Sequence, residues 1–285
     1  MTILVTGATG TVGHHLVGHL SDRQVPVRAL VHHTQPAFGP DVELATADFG
    51  DPPSIAAAMA GVDQVCLVTP NHPRQVEWEA VVMDAAVVAG VRRIVKLSTV
   101  GAETGSPLAF WDAHGRLEAH LRGAGVPWVL LRANFFMTNV LTTAASVRAA
   151  GAIFLPAAGA KIAMVDPRDV ARAAALLLTD PGFADQAGVT HYLTGPEAVT
   201  FDDVAAALSD LTGRAIGFVP VPDDAARAQL VESGMPAWFA SNLVTLFGLL
   251  RDGAAAPVGG GVRALTGSEP TPVTSFLRDH LEAFR

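Results

Sequence analysis

Three glycines at a spacing of three residues stand near the start of the chain, in the run Gly7-Ala8-Thr9-Gly10-Thr11-Val12-Gly13. An apolar segment, Ile3-Leu4-Val5, precedes them, and an amphipathic one, residues 14–20, follows. Strand, tight turn and helix in that order make a phosphate cradle. Gly7 permits the turn off the strand, Gly10 lets a pyrophosphate approach the backbone, and Gly13 lets the helix pack close to the sheet. Free N–H groups at the helix start, with the positive end of its dipole, then face the anion. The loop, with Thr9, Thr11 and Val12 between its glycines, is expected to hold a dinucleotide; a loop that needs glycines only for its turns is the plainer alternative. A second pair with chemical potential is His114 and Glu118, four residues apart in a segment of helical spacing and so on one helix face. An imidazole titrating near neutrality suits proton transfer, and an adjacent carboxylate would raise its pKa. The plainer reading is a helix pair that shapes a pocket or holds cofactor.

The elements that must position these groups alternate regularly. Strands are expected at residues 25–31, 42–47, 63–69, 93–98 and 128–132, and helices at 52–60, 74–89 and 110–123. Apolar runs without alternation suit strands covered on both faces. Strand–helix alternation implies right-handed crossovers. The expected fold is α/β, a Rossmann-like doubly wound parallel sheet with a smaller, mainly helical C-terminal substrate lobe. After Ala133 the rhythm changes: a helix at 134–150, a short strand at 162–165, a helix at 169–178, a strand at 190–194 that returns to the sheet, and mainly helices from Phe201 onward. Residues 1–133 with 166–194 are expected to form the dinucleotide-binding domain, and 134–165 with 195–285 the substrate lobe. The glycine-rich stretch 253–261 permits either a mobile lid or a plain connector.

Composition narrows the classes. A chain of 285 residues, half of them hydrophobic, can build a sizeable core without staples. A formal net charge of −8 and no Lys/Arg cluster argue against nucleic-acid contact. Cys66 is the single cysteine and lies in an apolar run, so no disulfide framework is expected. No segment is apolar for long enough to span a bilayer and no basic, then apolar, leader is visible, so a cytoplasmic protein without membrane contact is expected. Lysine occurs only at 96 and 161 while Arg and Ala abound, which suggests a GC-rich bacterial source. His15 and His19 share a helix face, but further ligands are missing and no metal is expected.

Further motifs join the glycine turn: Asp48-Phe49, Leu67-Val68-Thr69-Pro70, Leu97-Ser98, Leu131-Arg132-Ala133-Asn134-Phe135-Phe136-Met137, Asp166-x-x-Asp169-Val170-Ala171 and Leu193-Thr194-Gly195-Pro196-Glu197. Together they make a chain that resembles the NmrA-like group of atypical short-chain dehydrogenase/reductases, which includes type 2 NAD(P)H:quinone oxidoreductases and triphenylmethane reductases. The resemblance covers nearly the whole chain. It implies that Thr69 and Pro70 line the nicotinamide-ribose side, that Ser98 takes the usual serine position, and that His114 and Glu118 replace the Tyr-x-x-x-Lys pair of ordinary members. The one tyrosine, Tyr192, lies on a late strand. Phe110, Trp111, Phe135, Phe136, Met137, Trp238, Phe239 and Phe247 are candidates for an apolar pocket wall, plain core packing being the alternative for each. Asn134, an amide at a strand end, is a candidate to orient cofactor or substrate.

An NAD-selective site places an acid about twenty residues beyond the glycines, at the tip of the second strand. Here that tip reads Val31-His32-His33-Thr34, so NADP (as NADPH) is favoured and NAD remains possible. His32 can hydrogen-bond a 2′-phosphate, a solvated strand end being the alternative. Arg28, four residues back, lies too far away to clamp it. Asp48 is placed to accept from the adenine amino group, with Phe49 packed near the ring, or else is a turn acid. The expected activity is NAD(P)H-dependent reduction of a small hydrophobic acceptor, a quinone or related aromatic or conjugated ketone, by a monomer or homodimer. A redox-sensing NAD(P)-binding regulator and a natural-product tailoring enzyme of the same fold are the alternatives.

Overall fold

The computed structural model describes residues 1–32 and 38–285; His33 and Thr34 lie outside them. Its first half alternates as the apolar runs require: β1 (Ile3–Val5), α1 (Gly13–Asp22), β2 (Val27–Val31), β3 (Val42–Thr46), α2 (Pro52–Ala58), β4 (Gln64–Leu67), α3 (Gln75–Val88), β5 (Arg93–Thr99), α4 (Ala109–Gly123) and β6 (Trp128–Ala133). Then come a 3₁₀ helix (Met137–Thr143), α5 (Ala144–Ala150), β7 (Ala152–Leu155), α6 (Pro167–Thr179), α7 (Phe183–Gln186) and β8 (Thr190–Leu193). The last part holds α8 (Phe201–Thr212), β9 (Gly217–Pro220), α9 (Asp223–Glu232), α10 (Ala237–Arg251), α11 (Gly261–Thr266), α12 (Val273–Asp279) and a closing 3₁₀ turn (Leu281–Phe284).

Seven strands form one sheet in the order β3-β2-β1-β4-β5-β6-β8, every pair parallel. The order reverses between β1 and β4, so the turns after these two strands open a crevice at the carboxyl edge, where such sheets bind ligands. Both faces are covered. Leu16, Val17 and Leu20 of α1 and Val170 to Leu178 of α6 pack with Ile3, Val5, Val95 and Val129 on one face. Ile55, Val82, Met83 and Leu117 pack with Leu4, Val65, Leu67 and Ile94 on the other. A third cluster, from Met137 to Met164 and from Phe201 to Phe284, fills the C-terminal lobe.

Two local expectations need correction. The stretch 134–150 is not one helix: the chain bends at Phe135, a 3₁₀ segment follows Phe136, and regular α-helix begins only at Ala144. The Asn134 side chain accepts from the Phe135 N–H (2.7 Å), a local bond that competes with helix start. Residues 162–165 form no strand, only single bridges from Ile162 to Val199 and from Val165 to Phe136. Two short strands went unforeseen, β7 and β9, which pair parallel in the lobe. The glycine stretch is a pinned strap. The Ala255 carbonyl accepts from Ala163 N and from Asn134 Nδ2, and Gly259 N donates to Thr194 Oγ1 (3.0 Å). No described helix is long and apolar enough to cross a membrane.

Candidate active site

The glycine turn has the geometry its residues require. Gly7 has φ +57°, and a Cβ there would lie 2.7 Å from the Val68 carbonyl oxygen. A Cβ on Gly13 would come within 2.1 Å of the Gly7 carbonyl oxygen. Gly10 N donates back to that same oxygen (2.9 Å), closing the turn. Among the described residues, the N–H groups of Thr11, Val12 and Gly13 make no hydrogen bond, and Val12 offers α1 no side-chain cap. A set of unpaired amides at a helix start is what a pyrophosphate fills, so the residues present fit a dinucleotide.

Just after β2, His32 Nε2 lies 3.2 Å from Asp48 Oδ2. Asp48 Oδ1 accepts from Gly50 N (2.7 Å), so this acid also shapes the turn into α2. Phe49 stacks on Trp78, which His72 covers at 3.9 Å. Arg28 faces away, donating to the carbonyls of Ala58 and Ala60.

The carboxyl ends of β4, β5 and β6 open into a cavity of about 300 Å³. Thr69 and Pro70 border it after β4, Ser98 at the tip of β5, and Asn134, Phe135 and Phe136 after β6. Phe110, Trp111 and His114 enter from α4, and Leu246 and Leu250 from α10. Four of the aromatic candidates therefore reach the cavity. Met137 instead is fully buried in the lobe core, as is most of Phe247. Trp238 and Phe239 pack behind Phe110 at 5.5 and 5.2 Å. Asn134 borders the cavity, but its amide also ties Phe135 N to Ala255 O, so it fixes the wall before it meets any ligand. Helix α4 receives its first cap from the lobe: Ala109 N donates to Asn242 Oδ1 of α10 (2.9 Å).

The expected partnership of His114 with Glu118 does not form. Glu118 accepts from Ser98 Oγ (2.6 Å), Arg122 Nη2 (2.8 Å), and Arg132 through Nε and Nη2 (2.9 and 2.6 Å). Burial works to raise its pKa, but the hydrogen bonds from Arg132, Ser98 and Arg122 outweigh burial and hold the carboxyl below its ordinary range. Four residues of separation put both side chains on one broad face, yet this carboxylate turns to the β6 arginine. Ser98 borders the cavity but donates its hydroxyl hydrogen to Glu118.

His114 looks instead to two residues that its sequence neighbourhood does not contain. Lys96 Nζ lies 3.4 Å from its Nδ1 and Gln75 Nε2 lies 3.4 Å from its Nε2. Lys96 in turn holds Glu79 at 2.5 Å. Glu79 also accepts from Thr69 Oγ1 (2.5 Å) and Gln75 Nε2 (2.9 Å). Burial first, then the charges of Lys96 and Arg132, keep the His114 pKa well below the usual histidine value. The imidazole is therefore neutral at neutral pH, opposite to the expected raised pKa. The signal was present in the sequence: a lysine inside the run Ile94-Val95-Lys96-Leu97, which reads as a strand covered on both faces, demands a buried partner.

A profile of the NmrA-like family matches residues 1–272. The chain belongs to the NmrA-like family. It is 33% identical to an NAD(P)H azoreductase of Xenophilus azovorans over 285 residues, 99% of either protein. It is 38% identical, over the same length and shares, to a (4-alkanoyl-5-oxo-2,5-dihydrofuran-3-yl)methyl phosphate reductase of Streptomyces griseus. An NADPH-dependent quinone oxidoreductase of Escherichia coli, solved with NADPH, superposes with a TM-score of 0.87 at 27% identity, covering 98% of this chain and 99% of that one.

Proposed function

We propose that the protein is an NADPH-dependent reductase that passes hydride to a neutral, flat acceptor, a quinone or a related conjugated ketone. The cavity carries this reading. It opens at the carboxyl ends of β4, β5 and β6, beside the strand-order reversal, its wall is largely apolar and aromatic, and His114 is the one titratable side chain among its described lining residues. The named relatives that reduce azo compounds and quinones support it. The phosphate ester in the Streptomyces griseus relative's name has no counterpart here, because the described lining holds no Lys or Arg for such a group.

In this reading Gly7, Thr9, Gly10, Thr11, Val12 and Gly13 hold the pyrophosphate. His32, Asp48 and Phe49 flank the adenosine, and Thr69, Pro70 and Asn134 border the nicotinamide end. The bound cofactor supplies the hydride. Residues 1–133 with 166–194 form the cofactor domain, and 134–165 with 195–285 the lobe that walls the acceptor. The apolar wall excludes water and holds the ring flat, which for a quinone supplies most of the rate. His114 gives a neutral hydrogen-bond donor at the acceptor oxygen. Ser98 and Glu118 keep β5, β6 and α4 in register and take no part in proton transfer.

The deciding experiment follows absorbance of the reduced nicotinamide with purified protein, NADPH or NADH, and a panel of quinones and conjugated ketones. Oxidation with at least one acceptor is expected. Tight binding of both nucleotides with no oxidation by any acceptor would return the regulator reading. His114→Ala is expected to lower kcat about tenfold to a hundredfold, more for a ketone than for a quinone, whose reduced oxygens take protons from water. Its NADPH dissociation constant should hardly change, and equal losses in both would assign His114 to cofactor binding. His32→Asp is expected to weaken NADPH about tenfold while sparing NADH, because a carboxylate then faces the 2′-phosphate. Unchanged selectivity would remove His32 from the ribose site.

A further inference from the structure

Lys96 and Glu79 sit in the middle of the molecule with 0% and 1% side-chain exposure. A buried ion pair adds little net stability compared with apolar residues of similar size, so packing does not explain a lysine at this point of the central sheet. The bonds around it are specific. The ammonium has three hydrogens and meets three acceptors: Glu79 Oε2 (2.5 Å), the Leu97 carbonyl (3.2 Å) and His114 Nδ1 (3.4 Å). Across the ring, the Gln75 amide nitrogen at 3.4 Å is fixed as a donor, because it also donates to Glu79 Oε1. Donors thus face both ring nitrogens, which leaves no acceptor for an imidazolium. The charged donor takes Nδ1, so the single ring hydrogen goes to Nε2. Among the described residues nothing accepts that hydrogen, and His114 lines the cavity.

We infer that Lys96 is a positioning residue that fixes His114 as the Nε2–H tautomer, ready to donate to the acceptor oxygen, and returns the proton His114 gives up. The chemical use of this relay rests on the reductase reading. As hydride reaches the conjugated carbon, the acceptor's π electrons move onto its oxygen. That oxygen takes the Nε2 hydrogen, and the electron pair of the broken N–H bond stays on the ring. Nδ1 takes a hydrogen from Lys96 Nζ, leaving a neutral amine beside Glu79. Once product has left, solvent in the cavity protonates Nε2 and Nδ1 returns its hydrogen to Lys96 Nζ, which restores both the ammonium and the Nε2–H tautomer. The acceptor has then gained one hydride and one proton, and the dihydronicotinamide has been oxidised. The charged groups that act on the imidazole are Lys96 from β5 and Arg132 from β6, with Glu79 of α3 behind Lys96. Glu118, on the ring's own helix, is held by Arg132.

The test needs no turnover: ¹⁵N spectra of the histidines in the unliganded protein, in the wild type, in Lys96→Met, and in Lys96→Met/Glu79→Gln, which leaves no unpaired charge and guards against misfolding. The wild type is expected to show His114 protonated at Nε2 alone across the neutral range. In both variants the hydrogen should move to Nδ1, with Gln75 donating to Nε2, and the titration should shift upward. For a ketone acceptor, kcat should fall about tenfold in the double variant, with acceptor KM and NADPH affinity within about threefold of wild type. A wild-type ring protonated at Nδ1, or a tautomer unchanged in the double variant, would overturn the inference. The spectra judge the tautomer and the acceptor panel judges the reductase reading, so the two can fail separately.

Discussion

Alanine at Gly13 should abolish useful NADPH binding. The added Cβ would stand 2.1 Å from the Gly7 carbonyl oxygen; that oxygen is backbone and the backbone fixes where a Cβ stands, so neither can swing away. The turn must open, and with it go the converging N–H groups of Thr11, Val12 and Gly13. Hydrogen bonds from amides to a charged phosphate contribute about 1.5–3 kcal/mol each. Losing two of them raises the dissociation constant by roughly a hundredfold to ten-thousandfold. Titration calorimetry with NADPH checks this, and circular dichroism confirms that the sheet persists. Near-native affinity in a folded Gly13→Ala protein would mean that the pyrophosphate sits elsewhere. Gly10 should be more forgiving, since its Cβ would meet the same oxygen at 3.2 Å.

The largest loss of stability is expected from Glu118→Ala. That carboxylate takes four hydrogen bonds from three side chains, and its removal strands the largely buried Arg132 guanidinium between β6 and α4. Breaking a buried pair from one side costs about 3–5 kcal/mol. Urea unfolding should show it as a lowered midpoint with an unchanged slope. The pH dependence carries a sign. Folding holds the Glu118 pKa below its ordinary value of 4.5, so its contribution is complete above that value and fades as pH falls through the folded pKa. The gap between wild type and Glu118→Gln should therefore narrow in acid. A gap that widens there would mean that the folded protein prefers the protonated acid. Little loss for Glu118→Ala at neutral pH would show that solvent reaches Arg132 readily.

The sheet is legible from the sequence because strands covered on both faces leave continuous apolar runs, and five of the seven strands fall where those runs lie. The edge strands β3, largely exposed, and β8 carry weaker patterns. The glycine turn was legible because its constraint is steric and local. The lobe strands β7 and β9 were not, since each has four residues and their pairing spans more than sixty positions. The polar core failed for a related reason. Spacing along one helix joined His114 to Glu118, while the actual partners, Lys96 and Gln75, come from a strand and another helix. Only the misplaced lysine in β5 hinted at them. Composition could not choose between lid and connector at 253–261: glycines permit both, and only the fold shows that those at 259 and 261 run against the Tyr192 carbonyl.

The cap that Asn242 gives to Ala109 bears on how such a protein can diversify. The helix carrying His114 packs on the main sheet, yet its first amide is satisfied by α10 of the C-terminal lobe. Grafting a foreign lobe to gain a new acceptor would leave that amide open and fray the turn that presents Phe110 and Trp111. New specificities are therefore reached most cheaply by exchanging side chains one or two turns further along α10, at Leu246 and Leu250, with the asparagine kept in place.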